Sequence, residues 1–124
     1  MGFSYKILGR SRPSTSYLTL YEAPSGLESV YASRDISHSI VSLIVASADF
    51  SIFGFTRNYY IRVVPFDDVG SEADRHLIFS GKLISDSNSH FIHLGIGLQP
   101  GDRVQVKING GTAVTFSAFG AEVY

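Results

Sequence analysis

The chain has 124 residues, 44% of them hydrophobic and 17% charged, with a formal net charge of −1. That suits one domain with a real core, leaves little room for two, and argues against disorder. Lys and Arg are scattered without a basic run, which speaks against nucleic-acid binding, and the absence of cysteine excludes disulfides and Cys-ligated zinc.

The charged share lies below the roughly 25% usual for soluble domains. Ser, Thr, Gly and Asn must therefore do most of the solvation, a balance that favours a surface partly covered by neighbours. The opening "MGFSYKILGR" lacks the apolar core of a secretory signal, and Lys6 stands where a myristoylation pattern needs Ser or Thr. No apolar run approaches the ~20 residues of a membrane helix. The expectation is a chain made in a cytoplasm, carrying no export signal and having no membrane partner.

Taken in order, the segments read as strands. "FSYKIL" sets Phe3, Tyr5 and Ile7 on one face. The loop "GRSRPST" carries Arg10 and Arg12, then "SYLTLY" forms a second strand, and "APSG" (Ala23 to Gly26) turns the chain. "LESVYAS" is the next strand candidate. "SIVSLIVAS" (Ser39 to Ser47) is apolar on both faces, as a doubly covered strand would be. Within it Ile40 and Ile44 oppose Val41, Leu43 and Val45, and one set is expected to meet a neighbouring molecule.

"FSIFGF" follows, with Phe53 and Phe55 as candidate interface anchors. These rings, or Tyr59 and Tyr60, could stack on sugars, although Phe and Tyr are also ordinary strand and interface residues. "NYYIRVVP" alternates Tyr59, Ile61 and Val63 against Tyr60 and Arg62. The loop "PFDDVGSEAD" carries Asp67, Asp68, Glu72 and Asp74. Clustered carboxylates suit calcium, but the spacing is not that of an EF-hand, and an acidic loop between strands is ordinarily just solvated. The loop also complements Arg10 and Arg12 on a neighbouring copy. "RHLIFSGKLIS" offers one or two further short strands.

The segment from His90 to Gly110, "HFIHLGIGLQPGDRVQVKING", poses the choice between a metal site and strand-turn-strand. On a strand, residues three apart point to opposite faces, so His90 lies with Ile92 and His93 with Phe91. They cannot grip one ion together, and no metal or other cofactor is expected. "QPGD" is turn chemistry, with Pro100 presetting φ and Gly101 supplying a positive one. Beyond it "VQVKI", the turn "NGG" and "TAVTFSAFG" complete what reads as a three-strand meander. Ile92, Leu94, Ile96, Val104, Val106, Ile108, Val114 and Phe116 are its expected core residues.

The whole is an all-β pattern of roughly eight to ten short strands, one antiparallel sandwich or jelly roll. There is no G-x-S-x-G elbow and no P-loop, and adjacent Asp67 and Asp68 diverge in an extended chain. The G-x-G of Gly95 and Gly97 sits inside a strand. No catalysis is expected. From the residues alone, a carbohydrate-binding module remains a competing reading.

Several of these segments together resemble a known group. "YKILG", "LYEAP", the long apolar strand, "YYIRVVP", His76 ahead of "LIF", "LGIGLQPGD", "VQVKI" and the closing "VTFSAFGAEVY" are similar to small structural proteins of tailed-bacteriophage virions, especially phages of marine bacteria such as cyanobacteria. The resemblance runs over nearly the whole chain and contains no catalytic signature. It implies a non-enzymatic virion component, foremost a capsid decoration or cement protein on the particle surface. A tail, baseplate or fibre-associated part is the alternative it leaves. Its partners would be other copies of itself and other virion proteins, with a host-surface glycan as a further possibility.

Overall fold

The computed structural model describes residues 3–24, 38–48, 56–68, 76–84, 89–110 and 114–123. They form β1 (Phe3–Ser11), β2 (Leu18–Glu22), β3 (His38–Ala48), β4 (Thr56–Val64), a 3-10 turn (Phe66–Asp68), β5 (Leu77–Ile84), β6 (Ser89–Leu98), β7 (Arg103–Ile108) and β8 (Val114–Val123). Two four-stranded antiparallel sheets result, β1-β8-β3-β6 (sheet A) and β2-β7-β4-β5 (sheet B). The chain crosses repeatedly between them, and the two orders are those of an eight-stranded jelly roll. The expected strand "LESVYAS", the turn residues Ser25 and Gly26, and the side chains of Phe53, Phe55, Glu72 and Asp74 lie outside the described residues.

The inner faces of the two sheets make the core. Val104, Val106, Ile108, Val114 and Phe116 are at most 1% exposed, as their period-two spacing predicts, and Ile92 is 6% exposed. Leu94 and Ile96 are half-buried and pack against that core. "QPGD" turns as expected: Gly101 has φ 90°, and Asp102 N–H donates to the Gln99 carbonyl at 3.0 Å. The Asp102 carboxylate then accepts from Phe66 N–H (2.8 Å) and Gln99 N–H (2.9 Å), tying this turn to the end of β4.

Two expectations are corrected first. The last third is not a meander. β6 pairs with β3, β7 lies between β2 and β4, and β8 between β1 and β3. Alternation reports which side chains are covered and says nothing about which strand lies alongside. "RHLIFSGKLIS" gives one strand, β5, within the one or two expected. Arg10 belongs to β1, where it pairs with Ser117, and only Arg12 follows the strand.

The third correction concerns Ile44. A register shift falls between Val41 and Leu43 against both β6 and β8. Against β8 Ser42 is the extra residue, and the alternation of β3 reverses there; against β6 the extra residue lies on β6. Ile40 is 37% exposed, whereas Ile44 joins Val41 at 0%. Ile44 therefore belongs to the intrachain core and is no interface residue of the folded chain. β1 carries a matching shift between Ile7 and Gly9, so the irregularity runs across the sheet.

Candidate functional site

The two sheets present unlike faces to the outside. On sheet A, side chains paired across strands share a face and fall into rows. One row is Tyr5, Ala121, Ile40 and Gly97; the next is Ile7, Phe119, Leu43 and His93; a third is Arg10, Ser117, Val45 and Phe91. Tyr5 and Phe91 are each 62% exposed and Ile7 is 54% exposed. Leu43, Val45 and Phe119 are half-buried. The Tyr5 hydroxyl lies 2.9 Å from Ser42 Oγ, so its ring reaches over β8 to β3. Ser42 in turn donates to the Phe119 carbonyl at 3.2 Å, satisfying the bulge. Arg10 is the one formal charge these rows carry, and its Nε donates to Ser117 Oγ at 3.0 Å.

Sheet B carries polar and cationic groups outside, beside exposed Leu18, Leu77 and Ile78 on its edge strands β2 and β5. Arg62 lies 3.7 Å from the centroid of the Tyr17 ring and donates to Gln105 Oε1 at 2.8 Å. Gln105 continues the chain to Thr19. Lys107 stands 4.8 Å from the Tyr17 centroid and 5.2 Å from that of Tyr60. Arg103 is paired with Glu22 at 2.8 Å. Beside them a shallow pocket of about 330 Å³ is lined by Asn58, Tyr60, Ser80, Gly81 and Lys82.

A larger groove, about 520 Å³, opens along the edge strands β5 and β6. Tyr59 forms its base. The Tyr59 hydroxyl sits 2.8 Å from His90 Nδ1, and its ring contacts Phe79 and Phe116. Burial holds the Tyr59 hydroxyl up at a pKa of about 12. Phe79 and Phe91 form exposed walls. His90 and His93 do fall on opposite faces: His90 turns in to Tyr59, and His93 is exposed on the outer rows.

The other sequence candidates disperse. Asp67 and Asp68 sit in the 3-10 turn, with Asp67 exposed and Asp68 paired to His76 Nε2 at 3.1 Å. Arg12 is exposed after β1. Among the described residues, no group of three His, Asp or Glu side chains is placed to hold a metal ion.

One polar cluster escaped sequence reasoning. Glu122, 6% exposed, takes an ion pair from Lys6 and a hydrogen bond from the Tyr21 hydroxyl at 2.7 Å, and Ser39 Oγ lies 2.8 Å from the same hydroxyl. Burial, with the adjacent carboxylate, holds the Tyr21 hydroxyl well above the usual phenol range. Four strands contribute one member each, so no local spacing could have announced it. Its closed partnering reads as an internal tie between sheets. Comparison with family models, with curated proteins and with solved structures finds no match for this chain.

Proposed function

We propose that this chain is a non-enzymatic structural subunit of a tailed-phage virion, most directly a capsid decoration or cement protein that docks through the outer face of sheet A. The observation that carries the docking part is the run of apolar rows Tyr5 to Ile40 and Ile7 to Leu43, bounded by Phe91 and carrying a single charge among them, Arg10. Contiguous exposed apolar surface of this kind marks contact sites with other molecules. The virion assignment rests on the sequence resemblance, with which a cysteine-free jelly roll is compatible. The cleft and the outer surfaces offer no nucleophile-base-orienter arrangement among the described residues from which a reaction could be built.

The test is to purify particles and count copies by mass spectrometry against the major capsid protein. Hundreds of copies per particle support decoration. Six to a few dozen would place the chain in a tail, and absence from particles removes the virion reading altogether. A tail part would use the same apolar face.

A further inference from the structure

We infer that the outer face of sheet B, at Asn58, Tyr60, Ser80, Lys82 and Lys107, is a binding site for an acidic saccharide. The register builds it. Asn58 is paired with Lys82 and Tyr60 with Ser80 across β4 and β5, and Tyr60 is paired with Lys107 across β4 and β7. Residues paired across antiparallel strands share a face, so an amide, a hydroxyl, two ammonium groups and one aromatic ring converge on one patch. The pocket of about 330 Å³ sits within it, near the lower bound of roughly 300 Å³ for small-molecule sites.

The charges on this face are unequal in kind. Arg103 is spent on Glu22, and Arg62 is held by Gln105 and the Tyr17 ring. Among the described residues, Lys82 and Lys107 have no carboxylate partner within salt-bridge distance. Lys82 is exposed, and Lys107 stands over the Tyr17 and Tyr60 rings, where no described carboxylate neutralises its charge. The acids of the 3-10 turn follow the far end of β4, which lies about 20 Å from Asn58 at the usual strand rise.

The ligand class follows from what the patch lacks as well as what it holds. A nucleic acid needs a basic stripe tracking a polyanion and ring faces free for stacking. Here Lys82 and Lys107 are two cations on a chain of net charge −1 and form no such stripe. A protein partner would call for an apolar centre; the exposed Leu77 and Ile78 lie at the other end of β5 from Lys82, outside this patch. A pyranose ring bearing a carboxylate or sulfate fits the set. Its anion meets Lys82 with Lys107 behind, its hydroxyls meet Asn58 and Ser80, and its apolar C–H face lies on Tyr60. This site lies on the opposite side of the sandwich from the docking rows and does not depend on where the chain is docked.

The experiment uses the isolated chain in solution, so its result is independent of particle association. Titration calorimetry is run with an oligogalacturonate, a sulfated oligosaccharide, a neutral malto-oligosaccharide and a single-stranded oligonucleotide. At least one acidic saccharide is expected to bind, and the neutral one to bind far less. Lys82→Gln should weaken that binding about tenfold or more, as loss of one charge-assisted contact does. Tyr60→Ala should weaken it too, with both variants keeping the parent melting temperature. Three outcomes overturn the proposal: no acidic saccharide binds, the neutral sugar or the oligonucleotide binds as well as the acidic ones, or Lys82→Gln binds undiminished. If Tyr60→Ala loses its fold, Ser80→Ala replaces it as the second variant, with the same expected direction.

Discussion

Tyr59 is fully buried yet ends in a hydroxyl, and that hydroxyl reaches His90 across the open side of the sandwich. The residue gives a pH dependence whose sign can be worked out. Its folded pKa is raised from 10.0 to about 12. Between those values the unfolded chain has released the proton and the folded chain still holds it. Stability should therefore fall as pH rises through that window, and be unaffected by this group below it. Tyr59→Phe should cost about 1 kcal/mol at neutral pH through the lost hydrogen bond, and should flatten the alkaline fall. Some slope will remain, because the Tyr21 hydroxyl is raised as well. Urea unfolding from pH 8 to about 11 measures it; an unchanged slope in the variant would discard the assignment.

Ile40 and Ile44 differ by one bulge. Ile44→Glu places an unpaired carboxylate in the core and should prevent folding, since breaking buried charge balance costs about 3–5 kcal/mol. Ile40→Glu should leave the melting temperature within a few degrees of the parent and impair docking. Circular dichroism with thermal melts separates the two. A folded Ile44→Glu protein would show the bulge to be misplaced.

At the scale of elements, the described strands are legible in the sequence because period-two patterning is a local signal. "VQVKI" and the Pro100–Gly101 turn are where the sequence places them. Pairing was not legible, because β6, β7 and β8 are consecutive but their neighbours come from the first half of the chain. The bulge at Ser42 was hidden for another reason: a run apolar on both faces shows no change of phase when one residue is added. The same irregular line explains Gly120. A Cβ there would lie 1.9 Å from the Ile40 carbonyl oxygen and 2.9 Å from Leu8 Cδ1. β1 and β3 close over β8 at that point, and only a residue without a side chain lets them. Gly120→Ala should destabilise by about 1–3 kcal/mol through overpacking, read as a lower midpoint in chemical denaturation. A neutral outcome would mean the sheet can open there without loss.

For the whole molecule, the contrast between its two outer faces sets its polarity. If sheet A is the docked face, sheet B looks away from the particle with its lysines in solvent. The apolar rows then dominate attachment, and the cross-copy contact expected of Arg10 and Arg12 with Asp67, Asp68, Glu72 or Asp74 is a supplement. Arg10 is well placed for it in one respect, being exposed at the margin of the docking rows, and Asp67 is exposed as well. Salt separates the two contributions. At about 1 M the Debye length falls to ~3 Å, which removes long-range attraction between exposed charges, while burial of apolar surface is not weakened. Attachment to particles should therefore persist in high salt with a reduced association rate, and Tyr5→Glu or Ile40→Glu should release the protein at any salt concentration. Release of the parent protein by salt alone would assign attachment to the charged loops. Retention of both Glu variants on particles would take sheet A out of the contact.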